Sequence, residues 1–157
     1  MSHWFSVKTK FLSQPAITKT ANELGFIVKS NAICRGYNGQ KKKCDLVVQL
    51  PGEYDLGLEK QADNSYLVSA DFWWDHISQY LADPTTLASA EKASEDLRSD
   101  KKYAEADAAV AEAKMSKFTK MYNRFAVQEL AKAQGLQYME SILEDGTMVL
   151  ELTGNPY

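Results

Sequence analysis

The chain opens on a period of two. In "HWFSVKTKF", Phe5, Val7, Thr9 and Phe11 fall on one side and Trp4, Ser6, Lys8 and Lys10 on the other, which predicts a half-buried strand. "SQPAITKTANELG" changes the period: Ser13 is placed as an N-cap, Pro15 lies in the first turn, Ile17, Ala21 and Leu24 form an apolar stripe, and Gly25 is a stop. A short helix is expected there. Four short β-rich runs follow, "FIVKSNAIC", "KCDLVVQL", "YDLGLEK" and "SYLVSADFW", separated by Asn38-Gly39, Pro51-Gly52 and Asp63-Asn64. They read as an antiparallel meander.

After Pro84 the large apolar positions thin out. The stretch beginning "TTLASAEKASEDLRSDKKYAEADAAVAEAKM" is rich in alanine and alternating charge, which favours helix more than it builds a core. One long helix or two paired helices are expected, with a break at Ser99-Asp100. A better-defined helix follows, because Phe118, Tyr122, Phe125, Ala126, Leu130 and Ala133 recur at helical spacing up to Gly135; it is expected to lie on the sheet. Two β runs around Asp145-Gly146 predict a terminal hairpin, and the "NPY" end reads as frayed. The order predicts a single α+β domain over residues 1–157, an antiparallel sheet with helices packed on one face, related to ferredoxin-like folds, with residues 85–114 as a helical insertion.

Composition adds limits. At 157 residues the chain is long enough for one core. No apolar run approaches the roughly 18–20 residues of a membrane span, and the start lacks the apolar region of a signal peptide. With two cysteines and no C-x-x-C spacing, a reducing compartment is expected. Charge is polarised: residues 1–50 hold eight Lys/Arg against two Asp/Glu, whereas residues 51–157 hold ten against nineteen. A basic portion of this kind suits an acidic partner or nucleic acid.

The most motif-like segment is "CRGYNGQKKKC", Cys34 to Cys44. Asn38-Gly39 suits a two-residue type I′ turn, which needs positive φ twice. Such a turn sets Arg35 opposite Lys42, Cys34 opposite Lys43 and Ile33 opposite Cys44, so the two cysteines point to opposite faces. A disulfide or a metal site on that pair is then not expected. The turn does not explain Arg35, Tyr37, Lys41, Lys42 and Lys43 together, since Arg35 facing a lysine is repulsive unless an anion or carboxylate lies nearby. Either the hairpin is a charged edge that resists mispairing, or it binds phosphate or an acidic partner.

"DFWWDH", Asp71 to His76, groups two carboxylates, two tryptophans and one of two histidines, too few ligands for a metal without others from afar. His3 is the other histidine. Trp73 and Trp74 are adjacent, so one should face the core and the other cover something else. Trp4, Lys8, Lys10, Arg35 and Tyr37 together suggest a surface on which bases could stack. No nucleophile elbow, dinucleotide fingerprint or zinc signature occurs.

Six segments in order, "MSHWFSVKT", "RGYNGQ", "YDLGL", "YLVSADFWW", "YNRFA" and "DGTMVLEL", resemble the hypothetical chloroplast reading frame thirty-five family. The likeness covers roughly residues 1–80 and 115–152. Residues 85–114 look like an insertion relative to it, and the aromatic finish after the last strand is missing. The resemblance implies a cyanobacterial, plastid or cyanophage setting and the corresponding cytoplasm or stroma. It implies no particular activity.

The expectation from these observations is a non-enzymatic protein-binding, regulatory or assembly factor that uses the basic hairpin, with Arg35, Tyr37, Lys41, Lys42, Lys43 and Trp4 as binding residues and no cofactor or metal. A nucleic-acid-binding module on the same surface is the alternative. Residues 85–114 are the expected place for self-association.

Overall fold

The computed structural model describes residues 4–145 and 147–154. His3, the Gly146 of the expected terminal turn and the tail at 155–157 lie outside the described residues. The described elements run β1 (Trp4–Lys8), α1 (Gln14–Glu23), β2 (Ile27–Arg35), β3 (Lys41–Gln49), β4 (Leu56–Lys60), β5 (Tyr66–Asp71), α2 (Ser78–Leu81), α3 (Pro84–Ser99), α4 (Tyr103–Lys114), α5 (Ser116–Gln134), β6 (Gln137–Ile142) and β7 (Met148–Thr153).

Strands β1 to β5 form an antiparallel sheet in the order β1-β5-β4-β3-β2. The α+β class is the expected one. Its order is a β2-to-β5 meander closed by β1, which lends no support to a ferredoxin-like βαββαβ relation. Alternation along β1 works as the pattern predicts, with Val7 buried and Phe5 packed against the core while Ser6 and Lys8 are exposed. The main core joins one sheet face, including Leu46, Val48, Leu56, Leu58 and Val68, to Ile17 and Ala21 of α1 and to Phe118 and Tyr122 of α5.

Local chemistry sets the helix ends. Ser13 Oγ accepts from Ala16 N at 3.1 Å, capping α1, and Gly25 and Gly135 leave α1 and α5 with φ of 89° and 65°. The Tyr122 hydroxyl accepts from the backbone N–H groups of Leu12 and Ser13 at 2.8 and 3.1 Å, tying the entry of α1 to α5. The alanine-rich stretch forms two helices, broken after Ser99. They pack against each other, and α4 reaches β1. Asp83 caps α3 by accepting from Thr85 N and Thr86 N. Strands β6 and β7 pair with each other in a separate two-stranded sheet beside α5.

Candidate functional site

The hairpin between β2 and β3 has the expected turn and an unexpected register. Asn38 has φ 51° and ψ 43°, Gly39 has φ 76°, and Gln40 N donates to Tyr37 O at 3.0 Å, which is type I′ geometry. Beyond the turn, Gly36 N rather than Tyr37 N donates to Gln40 O, at 2.9 Å. Two residues, Gly36 and Tyr37, therefore oppose one, a β-bulge. The cause is Asp71 at the end of β5: its buried carboxylate accepts Tyr37 N at 3.1 Å and Trp73 N at 3.1 Å, drawing the Tyr37 amide out of the ladder.

The bulge overturns the expected pairing. Arg35 lies opposite Lys41, Cys34 opposite Lys42 and Ala32 opposite Cys44. A one-residue slip reverses which side chains share a face, so Cys34 and Cys44 lie together instead of on opposite faces. Both are free and buried, in a small cluster with Val47, Ala32 and Trp4. Alternation breaks once more at Asn31, whose φ is 47°, opposite Asp45. Cys44 consequently shares a face with Val47, three residues on, away from the main core.

Each residue of the Arg35-Gly36-Tyr37 segment has a structural partner. Arg35 donates through Nε to Asp55 Oδ2 and through Nη2 to Asp55 Oδ1, both at 2.8 Å, and through Nη2 to Leu50 O at 3.1 Å. Asp55, with its side chain 1% exposed, also accepts from the backbone N–H groups of Arg35 and Leu50. The bidentate carboxylate holds the guanidinium above its ordinary pKa. Gly36 lies under the Trp4 indole: a Cβ there would stand 2.6 Å from Trp4 Cζ2. The Tyr37 ring meets Trp73 edge-on, with centroids 5.3 Å apart.

Arg35 is committed to Asp55, and Lys42 donates to Glu59 Oε2 and Ser69 Oγ, each at 3.1 Å. Lys41 and Lys43 are exposed. Trp4 covers Gly36, and Tyr37 packs on Trp73.

Beside this loop lies a groove of about 370 Å³ between β1, the turn after β5 and the α3–α4 pair. Trp4, Phe5, Phe72, Trp73 and Trp74 line one side, and Arg98, Asp107 and Lys114 the other. Trp73 packs against the core, whereas Trp74 is 72% exposed and sits at φ 53°, a left-handed conformation that is uncommon for a bulky residue. Lys114 Nζ donates to Phe72 O at 2.5 Å and Trp74 O at 2.8 Å, fixing that turn from α4. Burial lowers the Lys114 pKa. Arg98 and Asp107 pair across the α3–α4 interface. His76 stacks on Tyr54 at 4.0 Å and on Trp73 at 5.8 Å. Among the described residues, no three or more His, Cys, Asp or Glu side chains gather as a metal group.

Sequence reasoning missed Asp55, Arg98, Asp107 and Lys114, and it singled out Asp71 without its role in the hairpin. The two aspartates carry a signal, an acidic residue beside a run of buried apolar neighbours in "YDLGL" and "VSADFW". The other three lie on exposed-looking helices and carry none.

The chain belongs to a family of proteins of unknown function, DUF1257, whose model matches residues 20–150. No curated protein and no solved structure matches it. No helix among the described residues is long and apolar enough to cross a membrane.

Proposed function

We propose that the chain is a non-catalytic protein-binding module of a regulatory or assembly kind, and that its contact surface is the tryptophan groove, with Lys41 and Lys43 of the neighbouring hairpin at its margin. The observation that carries this reading is Trp74, a large aromatic held outward in a costly backbone conformation by Lys114. Strained, over-determined residues cluster where a molecule makes contact, and tryptophan and arginine are the residues most enriched among interface anchors. Lys114 and Arg98 against a single Asp107 favour a partner that presents an apolar side chain flanked by a carboxylate. The family resemblance supports a bacterial cytoplasm, plastid stroma or phage-infected cell as the setting.

The test is parallel capture from a cyanobacterial lysate with tagged wild-type chain and Trp74→Ala, with and without nuclease. The wild type should retain a stoichiometric protein that survives nuclease. Loss of an anchor worth about 2 kcal/mol weakens affinity about 30-fold, so the variant should lose it. Equal recovery by both chains refutes the groove, and recovery abolished by nuclease transfers the surface to nucleic acid.

A further inference from the structure

The two thiols meet at a place made for them by a missing side chain. Gly57 of β4 pairs with Val47 and Ser69 in the middle of the sheet, on the face away from the main core. A Cβ on Gly57 would stand 2.7 Å from Cys44 Sγ, 3.1 Å from Cys34 Sγ and 2.6 Å from the Ser69 carbonyl oxygen. One point thus lies within contact of both sulfurs, and only glycine leaves the space they occupy. Three departures from regular strand structure build this arrangement: the bulge at Gly36-Tyr37, the break at Asn31 and the bare α-carbon at 57.

The surroundings are polarised. The single Cys34 S–H has the Asp55 carbonyl at 3.3 Å and the Cys44 sulfur within reach. Cys34 is held protonated, its pKa raised first by the hydrogen bond to Cys44 and then by burial. Cys44 is the acceptor, and that bond, helped by the Lys42 ammonium, lowers its pKa against the opposing effects of burial and of the Glu59 and Asp45 carboxylates. Lys42 reaches Ser69 and Glu59 on the same face. The indole of Trp4 packs on the cluster, and Cys34 and Cys44 are both buried.

We propose that Cys34 and Cys44 are a dithiol site oxidised by hydroperoxides to an intramolecular disulfide. The Cys44 sulfur attacks one peroxide oxygen, the O–O bond breaks, and Cys44 becomes a sulfenic acid while the other oxygen leaves as hydroxide and takes up a proton. The Cys34 sulfur then displaces the sulfenic oxygen, which leaves with the remaining proton as water. Two thiols lose two hydrogens and hydrogen peroxide becomes two waters, so no further reductant enters. This site shares Trp4 with the groove and none of the groove's other residues.

The experiment treats the full chain with hydrogen peroxide, unfolds it in guanidinium chloride with N-ethylmaleimide, and measures the intact mass. The expected product is a monomer lighter by two hydrogens that takes up no maleimide and regains both thiols after dithiothreitol. A chain that still takes up two maleimides, one linked between molecules, or one carrying sulfinic acid without a cross-link overturns the proposal. Cys34→Ser and Cys44→Ser, treated in the presence of dimedone, report the order of attack: the adduct should form on Cys44 in the first and be lost in the second. Equal adducts in both overturn the assigned roles.

Discussion

Trp4 lies across residue 36 so closely that the loop accepts no side chain there. A Cβ at Gly36 would meet Trp4 Cζ2 at 2.6 Å and Cε2 at 2.9 Å, and the ring also packs on the Cys34–Cys44 cluster. Gly36→Ala should therefore cost about 1–3 kcal/mol through overpacking. In thermal denaturation of a double-mutant cycle, Trp4→Ala should absorb most of that cost. If the two losses simply add, the contact is not what requires glycine.

Among the described residues, Arg35 is the side-chain cation paired with the Asp55 carboxylate, and removing it leaves a buried charge supported by backbone N–H groups. Arg35→Ala should destabilise the chain by about 2–3 kcal/mol, below the full range for a buried pair because the arginine side chain is 42% exposed to water. Arg35→Lys should recover only part of this, since an ammonium cannot span both carboxylate oxygens. Urea unfolding of the three chains measures it.

Trp74 separates stability from binding. The left-handed conformation costs a non-glycine residue about 1–2 kcal/mol, and a side chain 72% exposed returns little by packing. Trp74→Gly should leave the melting temperature unchanged or raise it while abolishing partner capture. A variant that unfolds early shows instead that the indole supports the fold.

Lys114 supplies a pH dependence. Its pKa in the folded chain lies below the ordinary 10.5 because of burial, so between those two values the unfolded chain binds more protons and stability rises with pH. The penalty for charging it is fully present below the folded pKa and is lost as pH rises toward 10.5. Relative to Lys114→Met, the wild type should gain stability as pH rises toward 10.5. Parallel urea curves whose separation does not change with pH contradict this.

The Tyr122 hydroxyl satisfies two backbone donors at the start of α1. Tyr122→Phe keeps the ring against Phe11, whose centroid is 4.3 Å away, and strands those donors. The expected loss is about 1–3 kcal/mol, with faster hydrogen exchange at Leu12 and Ser13.

Much of this architecture is legible in local sequence. Ser13, Gly25 and Gly135 mark helix ends because capping and left-handed exits depend on residues close by. Asn38-Gly39 marks its turn for the same reason. The register of that hairpin is not legible, because the group that extracts the Tyr37 amide is Asp71, 34 positions away. With the register went the placement of Cys34 and Cys44, and the apparent surplus of positive charge: Arg35 and Lys42 meet their carboxylates on β4 and the segment before it, a relation that no spacing within the hairpin encodes. The groove was hidden for a similar reason. Its aromatic residues were visible as "DFWW", but Lys114 is 40 positions from the Trp74 carbonyl it holds.

That separation orders events during synthesis. The aromatic wall, Trp4 to Trp74, emerges from the ribosome before Arg98, Asp107 and Lys114 exist, so a nascent chain carries the tryptophans without the ammonium that aims them. A partner that reads the assembled groove thereby distinguishes a finished molecule from an incomplete one.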